Sequence, residues 1–221
     1  MTGRFCGFCL GACGTATLLL LCGCNIFGIV AAKSNGPEEV PAQYVPAKDS
    51  MLVLAESYGA APSAGIDSQY VGLALTKNLR EHEIAPTIDP KALTQLHDAN
   101  GDQYNKMTID GIGRAVGAKQ VLYVQITNAQ VEQPTGGDQV RGAMSAKVRI
   151  VDSDTGETRW PAGSRTGVVV QIQTDWSRND SPSQSKIHDQ MADQLAEAIG
   201  KLFYAYTPDR PPEMGKQVAE Q

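Results

Sequence analysis

All five cysteines of this 221-residue chain, Cys6, Cys9, Cys13, Cys22 and Cys24, lie within its first 24 residues, and their placement constrains the rest more than any other feature. A chain processed before Cys24 keeps a single cysteine at its new amino terminus. The folded part is then expected to stand without a disulfide, a thiolate metal site or a catalytic thiol. It must rest on a buried apolar core, and the composition permits one: 42% of the residues are hydrophobic and 19% are charged, as in ordinary globular domains.

Arg4 is the only charge before Lys33, and an apolar stretch densest at Leu18-Leu19-Leu20-Leu21 follows it. A short positive start followed by a run of this length has the pattern of an export signal. The next residues, Leu21-Cys22-Gly23-Cys24, resemble the lipobox of bacterial lipoproteins, which has an aliphatic residue three before the cysteine and Gly or Ala one before it. The resemblance implies that residues 1–23 are a signal peptide recognised through Leu21 and Gly23. It implies that Cys24 becomes the lipid-bearing first residue, with diacylglycerol on sulfur and a further acyl chain, such as palmitate, on nitrogen. Each buried CH2 of those chains contributes about 0.8 kcal/mol, so several chains hold where one is marginal. The Cys6-x-x-Cys9 pair falls in the discarded segment, and a zinc site needs four ligands fixed by a fold. The alternative is an uncleaved transmembrane helix, since residues 5–32 carry no charge and are long enough to span a bilayer. Either way Arg4 stays inside and residues 33–221 face outward, in the periplasm or exterior of a cell envelope.

Charge and aromatic content narrow the partners. A net charge of −5 is wrong for neutralising phosphates along a nucleic acid. An aromatic content of 6% disfavours a stacking platform for bases or sugars.

Residues 24–49 carry the lipidated cysteine and then three prolines and mixed charges, the composition of a tether. Its 17-residue stretch from Lys33 to Asp49 reaches at most roughly 55 Å when extended. Residues 207–221, with Pro208, Pro211 and Pro212, are expected to form a disordered tail. The folded domain is expected at 50–206. Within it Met51 to Ala55 is a continuous apolar run, suited to a strand buried on both faces. From Ser63 to Glu81 the rows Ile66, Tyr70, Leu73, Lys77 and Val71, Leu75, Leu79 predict a helix with a wide buried stripe. Ile84 to Ile88 predicts a second strand. Asp89 and Pro90 start a helix ended by Gly101, and Thr108 caps another that Gly117 closes. Gln120 to Val131 is a strand, and Pro134 to Asp138 a hairpin turn. Val140, Met144, Ala146, Val148 and Ile150 then alternate with Arg141, Ser145, Lys147 and Arg149, giving one buried and one wet face. A third strand includes Val168, Val170 and Ile172, and Trp176 to Ser183 is a polar loop. A capping box at Ser181 to Gln184 starts a last helix with the stripe Ile187, Met191, Leu195, Ile199, Leu202, Tyr206. The order β-α-β-α-α-β-β-β-α predicts an α/β fold with a two-layer mixed sheet and helices packed mainly on one face.

The succession LVLAESY, EIAPTID, AVGAKQVLYVQITNAQV and VRIVDSDTGETRW, closed by an amphipathic helix, resembles envelope lipoproteins sharing the fold of the TolB amino-terminal domain, LpoB and the periplasmic part of CsgG. The matching phrases are Val116-Gly117-Ala118-Lys119-Gln120-Val121-Leu122 and Asp152 to Trp160. They are structural signals, a helix stop and a hairpin. The resemblance implies a non-enzymatic domain that binds another envelope protein. The chain departs from the pore-forming member, having no pair of alternating apolar strands for a membrane barrel.

No catalytic residue, metal or cofactor emerges from motifs. Asp152-Ser153-Asp154-Thr155-Gly156-Glu157 superficially follows a calcium loop, but Gly156 stands at position 5, where a ligand is needed, and a hairpin turn accounts for all six. His82, His97 and His188 have no second ligand at metal spacing and suit helix surfaces. There is no nucleophile elbow and no phosphate loop. Arg141, Lys147 and Arg149 share one wet face and form a candidate partner surface, set against an ordinary solvated sheet face. The leading expectation is a membrane-anchored protein-interaction module with an envelope protein partner. The alternatives are a periplasmic hydrolase whose site assembles in space around one of the histidines, and a small-ligand or glycan-binding lipoprotein.

Overall fold

A computed structural model describes residues 39–57, 68–178 and 181–208, with side chains in the last stretch from residue 186. The signal peptide, Leu21, Gly23, Cys24, the first turn of the helix expected from Ser63, the capping box at Ser181 and the tail beyond 208 lie outside the described residues or side chains. The elements are β1 (Met51–Ser57), α1 (Ser68–Glu81), α2 (Lys91–Asn100), a 3-10 turn (Gly101–Lys106), α3 (Ile109–Ala115), β2 (Gln120–Glu132), β3 (Gln139–Asp152), β4 (Thr158–Trp160), β5 (Val168–Gln173), β6 (Ser177–Arg178) and α4 (Ser181–Gly200).

The sheet is mixed, as its element order predicts. β1 runs parallel to β2, with Met51 opposite Gln120 and Ser57 opposite Ile126. β2 and β3 form a long antiparallel hairpin whose register slips between Ile126 and Asn128. The slip moves the inward positions of β2 from even to odd, from Leu122, Val124 and Ile126 to Ala129 and Val131. The far edge of β3 is met in turn by β4, β5 and β6, three pieces of one interrupted antiparallel strand. β6 lies inside what the sequence suggests is a polar loop.

The two faces are covered differently. α1 and α4 seal one, burying Val53, Leu122, Val124, Val148 and Ile150 against Leu75, Leu79, Leu195 and Ile199. The α4 stripe from Ile187 to Leu202 is buried. Tyr206 has left the helix and pairs with Val40 instead. α2 and α3 cover the β1–β2 end of the other face, where Leu52, Leu54 and Val121 meet Ile112, with Leu93 and Leu96 packed alongside. α3 comes close enough that a Cβ on Gly113 would lie 2.6 Å from Val121 Cγ2, so only glycine fits there.

Three expectations change. The wide stripe of α1 is half buried: Val71, Leu75 and Leu79 are inside, but Tyr70, Leu73 and Lys77 are exposed, because the sheet covers only one side of the helix. The strand expected at Ile84 to Ile88 is a single bridge, Met51 to Thr87, since Pro86 has no N–H to extend a ladder and Pro90 soon starts α2. The folded unit begins at Val40, not 50. Val40 and Tyr206 exchange backbone hydrogen bonds, and the amides of Gln43 and Tyr44 donate to Leu202 O. The Tyr44 ring stacks on Trp160, and the buried Gln120 donates Nε2 to Ala47 O and Asp49 O. A composition rich in proline reads as a tether, but tertiary partners dock these ten residues.

Candidate functional site

β1 is one edge of the sheet, pairing only with β2. Met51 N–H donates to Pro86 O, and Met51 O accepts from Ile88 N–H. Backbone groups alternate along a strand, so Val53 and Ala55 turn their amides and carbonyls to the same outer side. Among the described residues no backbone group meets them there. The edge forms the floor of a groove of about 630 Å3 between α1 and α2, walled by Gly72 and Leu73 on one side and Leu93, Thr94 and His97 on the other. The exposed row of α1 thus has a place: Leu73 lines this groove. Among the described residues three carboxylates, Glu56, Asp89 and Asp98, line it, with Lys91 as the one lysine or arginine.

Glu56 closes one end of the groove. Its Oε2 accepts from Tyr123 Oη at 3.0 Å. The Tyr104 phenol is pushed up from its ordinary value by burial and then by the nearby Glu56 charge. Glu56, Tyr104 and Ser68 also line a second, more polar hollow of about 770 Å3 that reaches Asp110 and Arg149. No sequence motif marks the groove. The signal that bore on it was Pro86, in the segment that would otherwise have paired along β1.

The candidate surface Arg141, Lys147 and Arg149 divides. All three lie on the half-covered face, as the alternation predicts. Arg141 is engaged: its Nε bonds Glu132 Oε2 at 2.7 Å, and its guanidinium sits 4.6 Å from the Trp176 ring centroid. Lys147 and Arg149 stand apart from it and join Arg165 and Thr166 from the β4–β5 loop. Sequence reasoning did not find Arg165, which lies 16 positions from Arg149 and reaches it only through the interrupted edge strand.

The Asp152 to Glu157 segment is a hairpin turn. Asp152 Oδ1 accepts from the amides of Asp154 and Thr155, and Oδ2 from Arg159 at 2.6 and 2.8 Å. These bonds, led by that from the Thr155 amide, hold the Asp152 carboxyl at about 2, well below the usual carboxylate range, against an opposing push from burial. Arg159, in β4, also reaches Asp49 and so pins the residues just before β1.

The histidines are separated. His82 stacks on Tyr204, with ring centroids 3.8 Å apart. His188 is half-buried on α4. His97 lines the groove with Nδ1 3.6 Å from Asp98, its sequence neighbour, and its ring edge-on to Tyr104. Among the described residues no helix is long and apolar enough to cross a membrane.

No family model and no curated protein matches the chain. Solved structures do. It is similar to a lipoprotein from Neisseria meningitidis at 19% identity and a TM-score of 0.42, over 67% of this chain and 99% of that one. It is similar to PelC from Paraburkholderia phytofirmans, solved as a dodecamer, at 14% identity and 0.40, over 76% and 98%. The LpoB C-terminal domain from Salmonella enterica follows at 18% and 0.38, over 61% and 87%.

Proposed function

We propose that this chain is a lipid-anchored, non-enzymatic binding module of the bacterial cell envelope, and that its domain receives an extended segment of a partner protein along the free edge of β1. The anchor rests on the lipobox-like Leu21-Cys22-Gly23-Cys24. The binding mode rests on one observation: Val53 and Ala55 direct unpaired backbone groups into a groove. A strand edge of this kind is a template for strand addition, in which main-chain bonds supply affinity and side-chain pockets supply selectivity. Leu73 and Leu93 offer apolar walls, and the excess of Glu56, Asp89 and Asp98 over Lys91 favours a segment bearing basic side chains.

The test places a photocrosslinking residue at Leu73 of the anchored chain, with a second at Glu197 on the exposed side of α4 as control. The reading expects an adduct at Leu73 that maps to an extended, basic segment of one envelope protein. Ala55→Pro, which removes one outward amide, is expected to abolish that adduct while the domain melts as before. An adduct that survives Ala55→Pro, or one formed only at Glu197, overturns the assignment. Intact mass of the mature chain, with Cys24→Ala alongside, tests the anchor separately.

A further inference from the structure

On the half-covered face, Lys147, Arg149 and Arg165 surround a hollow of about 150 Å3 whose lining is completed by Tyr123, Gln125 and Thr166. Among the described residues no carboxylate lines it, on a chain whose net charge is −5. Other cations of the fold have acidic partners, such as Lys119 with Asp154 and Arg141 with Glu132. Among the described residues these three have none. Like charges brought together without a counter-charge repel one another, and an anion between them relieves that repulsion.

The cluster is also ordered before any ligand arrives. Arg149 lies opposite Tyr123 across the β2–β3 ladder, and its guanidinium sits 5.2 Å from that ring's centroid. Its Nη1 donates to Arg165 O at 2.9 Å, which leaves the rest of the fork free. The loop carrying Arg165 and Thr166 is held against β3 by Gly167, whose φ of +83° and close approach to Val148 admit no side chain: a Cβ there would lie 2.5 Å from Val148 O. Ser164 and Thr166 hydroxyls lie 3.1 Å apart and close the turn.

We propose that Lys147, Arg149 and Arg165 form a binding site for a phosphate group, carried either by free phosphate or a phosphomonoester, or by a lipid headgroup. A fixed guanidinium presents parallel N–H donors that match two oxygens of a tetrahedral oxyanion, and lysine adds a point charge from another direction. The Thr166 hydroxyl and the Gln125 amide supply neutral donors at the rim. Three cations suit a phosphate better than a singly charged carboxylate. The site is independent of the β1 groove and does not rest on the reading given above.

The experiment is calorimetric titration of the full chain in non-ionic detergent at constant ionic strength. Three probes are used: inorganic phosphate, the deacylated headgroup glycerophosphoglycerol, and acetate. Saturable binding of phosphate or of glycerophosphoglycerol is expected, with acetate far weaker. Lys147→Gln and Arg165→Gln should each raise Kd about tenfold. Lys91→Gln, a cation of the β1 groove, should leave it unchanged. Preference for inorganic phosphate assigns the free ion or a monoester as the source; preference for the diester assigns a headgroup. Neither glutamine variant touches the Tyr123 stack, and an unchanged near-ultraviolet dichroism confirms folding in each. No saturable binding of either phosphate probe overturns the proposal. So does acetate competing at equal concentration, or affinity that is indifferent to both glutamine variants.

Discussion

The same strands present two unlike faces. On one, Val124, Val148 and Ile150 disappear beneath α1 and α4, helices of 14 and 20 residues. On the other, the shorter α2 and α3, of 10 and 7 residues, cover only the β1–β2 end and leave Gln125, Lys147 and Arg149 partly open. The difference separates two tasks. The sealed face supplies the apolar burial that a domain without cysteines needs. The half-covered face is where polar side chains keep access to solvent, and the sheet edge bordering it keeps backbone groups unpaired. Substitutions beneath a helix on either face should act on stability, and substitutions on the open part of the second face chiefly on binding.

The largest expected effect is on the sealed face. Leu195→Ala empties a fully buried site between α4 and the sheet and should cost about 2–5 kcal/mol, read as a lower urea midpoint at unchanged slope. Gly113→Ala sharpens the contrast from the other side. It should cost about 1–3 kcal/mol because α3 cannot retreat from Val121, and a loss under a few tenths would show that α3 is only loosely docked. Asp152→Asn comes next. The Asp152 carboxyl is held at about 2, below its unfolded value near 3.8, so its stabilisation is complete above about pH 4 and is lost as pH falls toward 2. At this shallow site solvent screening leaves about 1 kcal/mol. The wild-type chain should lose that increment between pH 4 and 2 in acid melts, whereas the Asn variant should lack it throughout. Lys147→Gln is the smallest in stability, within about 0.5 kcal/mol, because no ion pair is broken. A large destabilisation there would mean that the open face is structural after all.

Much of the fold was legible because its signals are local. Asp89 accepts from the Lys91 amide at the start of α2, Gly101 ends that helix, and Thr108 accepts from the Gly111 amide at the start of α3. The alternation of β3 placed Val148 inside and Lys147 outside correctly, since period two is a property of the backbone. What failed was non-local. The row Tyr70, Leu73, Lys77 has the spacing of a second buried stripe, yet all three residues stay exposed. Val40 to Asp49 has the composition of a tether, yet Gln120, Arg159 and Leu202, at least 70 residues away, give its backbone and side chains partners. The candidate sites divide the same way. The sequence places Arg141, Lys147 and Arg149 together on one strand, but it offers no sign of Arg165 or of the β1 groove.

The sequence by itself determined the order of helices and strands, the buried side of β3 and α4, and a folded part without cysteine. Caps, turns and hydrophobic periods are written within a few residues of where they act. Only the tertiary structure decided what walls the outer edge of β1, which cations share a hollow and where the domain begins. Each of those depends on what lies across a gap in space, and a residue carries no mark of the distant partner that will, or will not, satisfy it.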